Sequence, residues 1–218
     1  MKVLNLYAGI GGNRKLWDDV EVTAVEWEPK IAAIYQDFFP DDEVIAADAH
    51  QYLLEHFNEY DFIWSSPPCP THSKLRRNMG VEGQTLKPVF PDMKLYEEII
   101  FLESYYKGLY CVENVISYYS PLIRPQQLGR HYLWANFLIR EKNFGPSYTR
   151  KNSGFKELQK ILGYELSGYS YPDKRGLLRN CVDPELGRIV LDCARGNTQL
   201  SLSEFRTKTI ICAEEEKK

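Results

Sequence analysis

The sequence has few cysteines and no long apolar run, and each shortage excludes a class of protein. Its five cysteines are odd in number, and none lies in a Cys-x-x-Cys spacing. This argues against a zinc ribbon and a disulfide framework, and it favours a reducing cytoplasm. No stretch approaches the ~18 apolar residues of a membrane span, and the first residues lack a signal-peptide pattern. We therefore expect a cytoplasmic protein that does not enter a membrane, and we predict no metal site.

Charge is unevenly distributed along the 218 residues, although the net charge is only −3. Residues 1–69 hold 4 Lys and Arg against 13 Asp and Glu, whereas residues 70–180 hold 17 against 10. A basic middle region is typical of a surface that meets an anionic partner. Solvated surface charge would explain the pattern equally well. The hydrophobic content of 44% is ordinary for a globular protein and is enough to build a core.

Short apolar runs alternate with helical patterns through the first part of the chain. Strands are predicted at residues 2–7, 21–26, 43–46 and 61–64, with helices between them at 13–17, 29–39 and 51–57. This order implies a parallel sheet covered by helices on both faces. Later elements are predicted as a helix at 92–107, strands at 109–113 and 131–139, and a helix at 184–194.

Residues after the first three strands favour a ligand that contains adenosine. The Gly-x-Gly-Gly turn at residues 9–12 would let the backbone approach a ligand, and the helix after it offers free N–H groups. Glu26 ends the second strand, where a carboxylate accepts hydrogen bonds from ribose hydroxyls. Trp27 would cover an adenine face, and Asp48 would reach the adenine amino group. A tight connection, a surface glutamate beside a core tryptophan and a helix cap are the structural alternatives.

Reactive side chains follow the later strands. Cys69 lies within Pro67-Pro68-Cys69-Pro70, and the prolines stiffen the backbone on both sides of the thiol. A rigid cysteine at a ligand-binding edge is a nucleophile candidate if its pKa is lowered, although a lone cysteine is more often a small buried hydrophobe. Glu113 ends a strand and could bind the amidine-like edge of a base. Arg130 precedes an apolar strand, where its fork of donors would bind an acceptor or face solvent.

These motifs together resemble the DNA (cytosine-5) methyltransferase family, including the short forms carried by phages and prophages. They occur in family order from residue 3 to about residue 195. The matching segments are Leu6-Tyr7-Ala8-Gly9-Ile10-Gly11-Gly12, Glu26-Trp27, Pro67-Pro68-Cys69, Glu113-Asn114-Val115, Gln126-Gln127-Leu128-Gly129-Arg130 and Arg179-Asn180-Cys181-Val182. Three positions depart from the family pattern: Asn5 stands for Asp, Leu128 for an arginine and Arg179 for a glycine.

The resemblance implies an α/β, Rossmann-like S-adenosylmethionine-dependent methyltransferase fold, with a mostly parallel sheet and helices on both faces. It implies S-adenosyl-L-methionine as cofactor and methyl transfer to C5 of cytosine in double-stranded DNA, through a covalent bond between Cys69 and C6 of a flipped-out base. The implied catalytic residues are Cys69, Glu113 and Arg130. The implied cofactor-binding residues are Tyr7, Ala8, Gly9, Gly11, Gly12, Glu26, Trp27, Asp48, Pro67, Asn180 and Val182. The residues expected to bind nucleic acid are Ser73, Lys74, Arg76, Arg77 and Lys87.

The chain departs from the family most clearly in length, because only about 40 residues separate the apolar strand from Asn180. Most relatives place a full target-recognition domain there. We expect a catalytic core at 1–139, a short basic segment at 140–178 and a C-terminal helix at 179–218 that returns to the core. So short a segment would read few bases or need a specificity partner, and a homodimer is compatible as well. A bacterial host cytoplasm and protection of phage DNA from restriction would follow from the phage-type resemblance.

Other functions stay open from the sequence. An amino-methyltransferase shares the fold but carries an aromatic residue in place of Cys69. A tRNA cytosine-5 methyltransferase would carry a Cys-Phe-Thr signature that is absent here. A catalytically silent nucleic-acid-binding protein would not need its reactive positions filled. A dinucleotide oxidoreductase would explain the first two strands but neither Cys69 nor Glu113.

Overall fold

A seven-stranded sheet forms the centre of the computed structural model, which describes residues 1–74, 89–139 and 153–196. The strands are β1 Lys2–Leu6, β2 Glu21–Val25, β3 Glu43–Ile45, β4 Phe62–Ser65, β5 Leu109–Val115, β6 Gln126–Leu128 and β7 His131–Ala135. Their order across the sheet is β3-β2-β1-β4-β5-β7-β6. The pairs among β1 to β5 are parallel, and β7 is antiparallel to both β5 and β6. The predicted mostly parallel sheet is therefore confirmed.

Helices cover both faces of this sheet, as predicted. They are α1 Pro29–Phe38, α2 Ala49–His56, α3 Lys94–Tyr105, α4 Phe155–Leu162, α5 Lys174–Asn180 and α6 Pro184–Gly196, with 3-10 helices at Asn13–Leu16 and Phe57–Glu59. Successive strand residues point to opposite faces. Trp64 accordingly packs with Leu186 of α6 on one face, whereas Ile63 packs with Leu53 of α2 and Ile99 of α3 on the other.

The carboxyl ends of the parallel strands meet at one edge of the sheet. The strand order reverses between β1 and β4, and ligands bind beside such a reversal in open α/β sheets. The antiparallel strand β7 begins at this same edge, because His131 pairs with Val115 at the end of β5. The loops that follow five strands and the first residues of β7 therefore converge there.

Several boundaries differ from the sequence prediction by one or more residues, and two of these differences have a clear local cause. Helix α2 begins at Ala49 rather than at residue 51, because the Asp48 side chain caps it by accepting hydrogen bonds from the backbone N–H groups of His50 and Gln51. Strand β7 ends at Ala135 rather than at residue 139. The side chain of the next residue, Asn136, accepts a hydrogen bond from the Tyr110 N–H and donates one to the Gly108 carbonyl. These side-chain bonds take the place of backbone bonds that would have continued the strand.

Three short elements were not predicted: β6, α4 and α5. Each has no more than eight residues, too few to show a clear period. Helices α4 and α5 nevertheless bury Leu158, Leu162 and Leu178 against Ile10 and Ile34. The described part of the predicted basic segment at 140–178 thus packs on the glycine turn and α1. The predicted domain boundaries stay a prediction.

The C-terminal helix α6 returns to the start of the chain. A Cβ atom added to Gly187 would lie 2.1 Å from the carbonyl oxygen of Asn13, so α6 rests directly on backbone there. Arg195 also forms an ion pair with Asp18, 2.9 Å between Nη1 and Oδ1. Within the described ranges, no helix is long and apolar enough to cross a membrane.

Candidate active site

A cavity of about 570 Å³ lies at the carboxyl edge of the sheet. This size is typical of sites for small molecules. The predicted site residues that line it are Tyr7, Ala8, Gly9, Gly12, Glu26, Trp27, Asp48, Pro67, Cys69, Glu113, Arg130, Asn180 and Val182. The side chains expected to react and those expected to hold the cofactor thus share one cavity.

The glycine turn forms the floor of the cavity beside β1. Gly9 has a φ of +55°, which favours glycine, and its N–H donates to Glu26 Oε2 at 2.9 Å. Gly11 has a φ of +82° but does not line the cavity. An added Cβ there would meet the rings of Tyr35 and Phe39, and its carbonyl accepts a hydrogen bond from Tyr164. Gly11 therefore serves close packing, while Gly9 and its neighbours face the cavity.

The acidic wall consists of Glu26, Trp27 and Asp48. Glu26 accepts one backbone hydrogen bond on each oxygen, from Gly9 and from Glu28, which fixes the plane of its carboxylate. Each carboxylate oxygen has two lone pairs, so further hydroxyl donors can still bind. Trp27 is 70% exposed and lines the cavity, so it is not a core residue. Asp48 caps α2, which confirms the helix-cap interpretation, and it also lines the cavity. Its contact with an adenine amino group stays a prediction.

The opposite wall comes from the far end of the chain. Asn180, Cys181 and Val182 line the cavity between α5 and α6. A Cβ added to Gly12 would lie 2.5 Å from the carbonyl oxygen of Val182 and 2.9 Å from Cys181 Cβ. Only a glycine lets the N-terminal turn and this C-terminal segment approach so closely. Arg179 also lines this wall, at the position where the family has glycine.

The Cys69 loop is fixed to β5 and to the segment after it. Asn114 Nδ2 donates to the carbonyl oxygen of Pro67 at 3.0 Å. The backbone N–H groups of His72 and Ser73 donate to the Cys69 carbonyl oxygen at 3.0 and 3.1 Å. Ser73 also forms an isolated β-bridge with Ser117. The asparagine of the Glu-Asn-Val motif thus holds the loop that carries the thiol.

The electrostatics at Cys69 differ from the condition set by the sequence analysis. Burial, and then the negative charge of Glu113, raise the pKa of the half-buried Cys69 thiol above its ordinary value. The lowered pKa expected of an activated cysteine is therefore absent in the protein alone. A bound cationic or hydrogen-bonding group would have to change this environment before the sulfur could attack.

Glu113 has a neighbour that the sequence analysis missed. His131 Nδ1 lies 2.6 Å from Glu113 Oε1; both side chains are buried, and both residues line the cavity. Because β5 and β7 are antiparallel with Val115 opposite His131, Glu113 and His131 are diagonal neighbours on one face. Arg130 precedes β7, is exposed and lines the cavity. His131 follows Arg130 and begins an apolar strand, and this position in the sequence could have marked it as a site residue.

A second missed group lies behind the wall at Tyr7. The fully buried Glu98 accepts hydrogen bonds from Tyr7 Oη and Ser65 Oγ, both at 2.6 Å, and lies 3.0 Å from His50 Nδ1. The hydrogen bond to Glu98 raises the pKa of His50, and burial raises that of Tyr7. Tyr7 has an unusual φ of +55°. This cluster therefore fixes a strained residue of the cavity wall.

Only part of the predicted nucleic-acid surface can be placed. Ser73 and Lys74 lie just beyond the Cys69 loop, Lys74 is exposed, and neither lines the cavity. Arg76, Arg77 and Lys87 lie outside the described residues. Their role in nucleic-acid binding stays a prediction.

The residues around the cavity fit S-adenosylmethionine. Glu26 offers acceptors for ribose hydroxyls, Trp27 an exposed aromatic face, and Asp48 an acceptor for an amino group. No described atom would lie within 4 Å of a Cβ at Gly9, so this part of the floor is open for a ligand. The reactive Cys69 and Glu113 line the same space.

Comparisons with known proteins agree with a cavity that binds S-adenosylmethionine. Residues 1–99 match the sequence model of the family described as C-5 cytosine-specific DNA methylase. No curated protein matches the chain.

Among solved structures, a methyltransferase of Entamoeba histolytica, EhMeth, has 12% identity and a TM-score of 0.54, with 91% of this chain and 99% of that chain covered. A DNMT2 mutant of Spodoptera frugiperda has 25% identity and a TM-score of 0.35, with 52% of this chain and 35% of that chain covered. The present chain thus spans about a third of the DNMT2 chain. The EhMeth match supports the Rossmann-like α/β fold, which this chain shares with that methyltransferase. Residues 1–99 of this chain thus resemble the C-5 cytosine-specific DNA methylase family, and this match implies S-adenosylmethionine as the methyl donor.

Proposed function

We propose that the protein methylates C5 of cytosine in DNA, with Cys69 as the nucleophile, Glu113 and Arg130 as ligands of the base, and the glycine turn, acidic wall and C-terminal wall as the cofactor site. The observation that carries this proposal is one shared cavity. Cys69 and Glu113 line it together with Glu26 and Trp27. An amino-methyltransferase needs no thiol at this place, so the cysteine favours carbon methylation.

The need for a nucleophile follows from the substrate. C5 of cytosine is a poor nucleophile because the ring is aromatic. Attack of the Cys69 sulfur on C6 forms an S–C6 bond, and the electron pair of the C5–C6 double bond moves onto C5 and the ring. When bound, S-adenosylmethionine supplies the methyl group that C5 takes up. A water molecule then takes up the C5 proton, the C5–H electron pair forms the C5–C6 double bond again, and the S–C6 bond breaks to release the Cys69 thiolate.

The remaining residues would stabilise the charge that develops. In this mechanism the Glu113 carboxylate accepts a hydrogen bond from the exocyclic amine of the base and from N3 once N3 has taken up a proton, and Arg130 binds the O2 edge. Preorganised groups of this kind lower the barrier because they already point to where charge appears. C6 cannot be reached inside a duplex, so the base would have to leave the stack. Basic residues after Cys69 would then hold the phosphates.

The raised pKa of Cys69 sets the order of events. In the protein alone the thiol carries its proton at neutral pH, because burial and Glu113 disfavour the thiolate. Binding of a base at Glu113 and of a sulfonium cation in the cavity would reduce the influence of the carboxylate charge. The nucleophile would therefore be formed only when the substrates are present, which limits side reactions of the thiol.

The direct test is identification of the methylated base. Purified protein is incubated with S-adenosylmethionine and mixed-sequence duplex DNA, or in parallel with total RNA, and the nucleosides are identified by mass spectrometry. We expect 5-methylcytosine from DNA. N4-methylcytosine or N6-methyladenine would discard the mechanism through Cys69, and 5-methylcytosine from RNA alone would replace DNA by RNA as substrate.

A matched pair of variants tests the nucleophile. Cys69→Ser should lower methyl transfer by at least about 1,000-fold, as removal of a nucleophile does, while calorimetry shows unchanged affinity for S-adenosylhomocysteine. Cys193→Ser is the control, because Cys193 is half-buried on α6 and does not line the cavity. Retained methyl transfer in Cys69→Ser would show that Cys69 is not the nucleophile.

A further inference from the structure

The pair formed by His131 and Glu113 has a geometry that bears on the base. Glu113 is 6% exposed and His131 is 7% exposed, and their polar atoms lie 2.6 Å apart inside the cavity that holds Cys69. A carboxylate can only accept hydrogen bonds, so the Nδ1–H of His131 donates to Glu113 Oε1. This bond uses one lone pair of Oε1 and leaves both lone pairs of Oε2 unused by His131.

Three residues beside Glu113 do not hold its carboxylate by a side-chain hydrogen bond. Leu133, directly opposite on β7, is apolar, and so is Val115 on the same strand. Asn114 is engaged with the Pro67 carbonyl. Among the described residues, His131 is the hydrogen-bond partner that the structure gives to the Glu113 side chain. The imidazole therefore holds one oxygen of the carboxylate in place.

We propose that His131 is a positioning residue for methyl transfer: it occupies Oε1 of Glu113 and thereby aims Oε2 at the Watson–Crick edge of the target base. This inference rests on the proposed function. A free glutamate side chain has several rotatable bonds, and misplacement of a reacting group by about 1 Å can cost about 100-fold in rate. The hydrogen bond to His131 removes that freedom before the base arrives.

Two nearly isosteric substitutions separate this role from packing. His131→Leu fills the site without a donor, whereas His131→Asn places an amide N–H where Nδ1 stood. We expect kcat to fall about 100-fold in His131→Leu and to stay within about fivefold of wild type in His131→Asn. KM for DNA and affinity for S-adenosylhomocysteine should change little in either variant. His56→Leu is the control, because His56 lies at the end of α2 and does not line the cavity.

A second readout avoids the methyl donor. Addition of Cys69 to C6 makes the C5 hydrogen exchangeable, so DNA with tritium at C5 of cytosine releases tritium to water. This release should fall in His131→Leu and recover in His131→Asn by the same ratios as kcat. Thermal unfolding of both variants shows whether they fold.

The outcomes distinguish the two proposals. If the wild type releases tritium and His131→Leu does so within threefold of it, His131 does not position Glu113. Equal losses in folded His131→Leu and His131→Asn would mean that packing, not the hydrogen bond, matters. A wild type that neither releases tritium nor methylates cytosine would overturn the proposed function, and the role of His131 with it.

Discussion

Gly187 offers a quantitative test of how the two ends of the chain meet. In α6, an alanine at this position would place its Cβ 2.1, 2.7 and 2.8 Å from three backbone atoms of Asn13. Real Cβ contacts essentially never fall below 3.0 Å, so α6 would have to move away by roughly 1 Å. Gly196, at the end of the same helix, has no described atom within 4 Å of its added Cβ. The two glycines therefore form a matched pair.

The expected free energies have opposite signs. Overpacking costs about 1–3 kcal/mol, and we take the upper part of this range because rigid backbone is struck. Replacement of a helical glycine by alanine returns up to about 1 kcal/mol. Gly187→Ala should thus lose about 1–2 kcal/mol of unfolding free energy, whereas Gly196→Ala should be neutral or gain up to ~1 kcal/mol. For a chain of this size, this difference of about 1–3 kcal/mol corresponds to about 2–12 °C in Tm between the two variants.

Thermal unfolding followed by circular dichroism measures this difference. Calorimetry with S-adenosylhomocysteine should also show weaker binding to Gly187→Ala, because a displaced α6 draws Val182 away from Gly12. If both variants melt within about 1 °C of each other, α6 does not rest on Asn13 and the C-terminal wall of the cavity is not held as described.

Two further predictions follow from the charged groups of the site. Glu113→Gln removes a negative charge that raises the pKa of Cys69. Iodoacetamide should therefore label Cys69 faster in this variant than in wild type at pH 7.5, as measured by peptide mass spectrometry. An equal or slower rate would refute this electrostatic coupling. The hydrogen bond to Glu98 raises the pKa of His50, so its stabilisation is fully present below the unfolded value of about 6.5 and is lost as pH rises through the folded value. Wild type should therefore exceed His50→Gln in unfolding free energy by more at pH 6 than at pH 9 in urea titrations, and a constant difference would contradict this linkage.

The residues of the cavity that lie at the carboxyl ends of parallel strands could be predicted from the sequence. Parallel strands bring their carboxyl ends to one edge, so Glu26, Cys69 and Glu113 needed only a correct assignment of strands. Asn180 and Val182 needed the family resemblance, because no local pattern shows that residues so late in the chain return to the glycine turn.

The side chains that support the site, His131 and Glu98, could not be predicted from strand assignment alone. His131 reaches Glu113 through the register of an antiparallel pair, and register is not visible in a single strand. Glu98 left a clearer signal, since it falls in the apolar stripe of α3 with Leu95, Ile99 and Leu102. A carboxylate in such a stripe is costly to bury unless it is hydrogen-bonded, and here it accepts from Tyr7 and Ser65.

The closing of one cavity by both ends of the chain has a consequence for synthesis on the ribosome. Tyr164 bonds to the Gly11 carbonyl across 153 positions, and Val182 contacts Gly12 across a still longer separation. A nascent chain therefore carries the thiol of Cys69 well before the wall at 180–182 exists. Ligand binding stabilises only the form that contains the complete site. An interrupted product would hold Cys69 without a finished cavity, and S-adenosylmethionine would protect from unfolding and proteolysis only those chains that include the wall at 180–182.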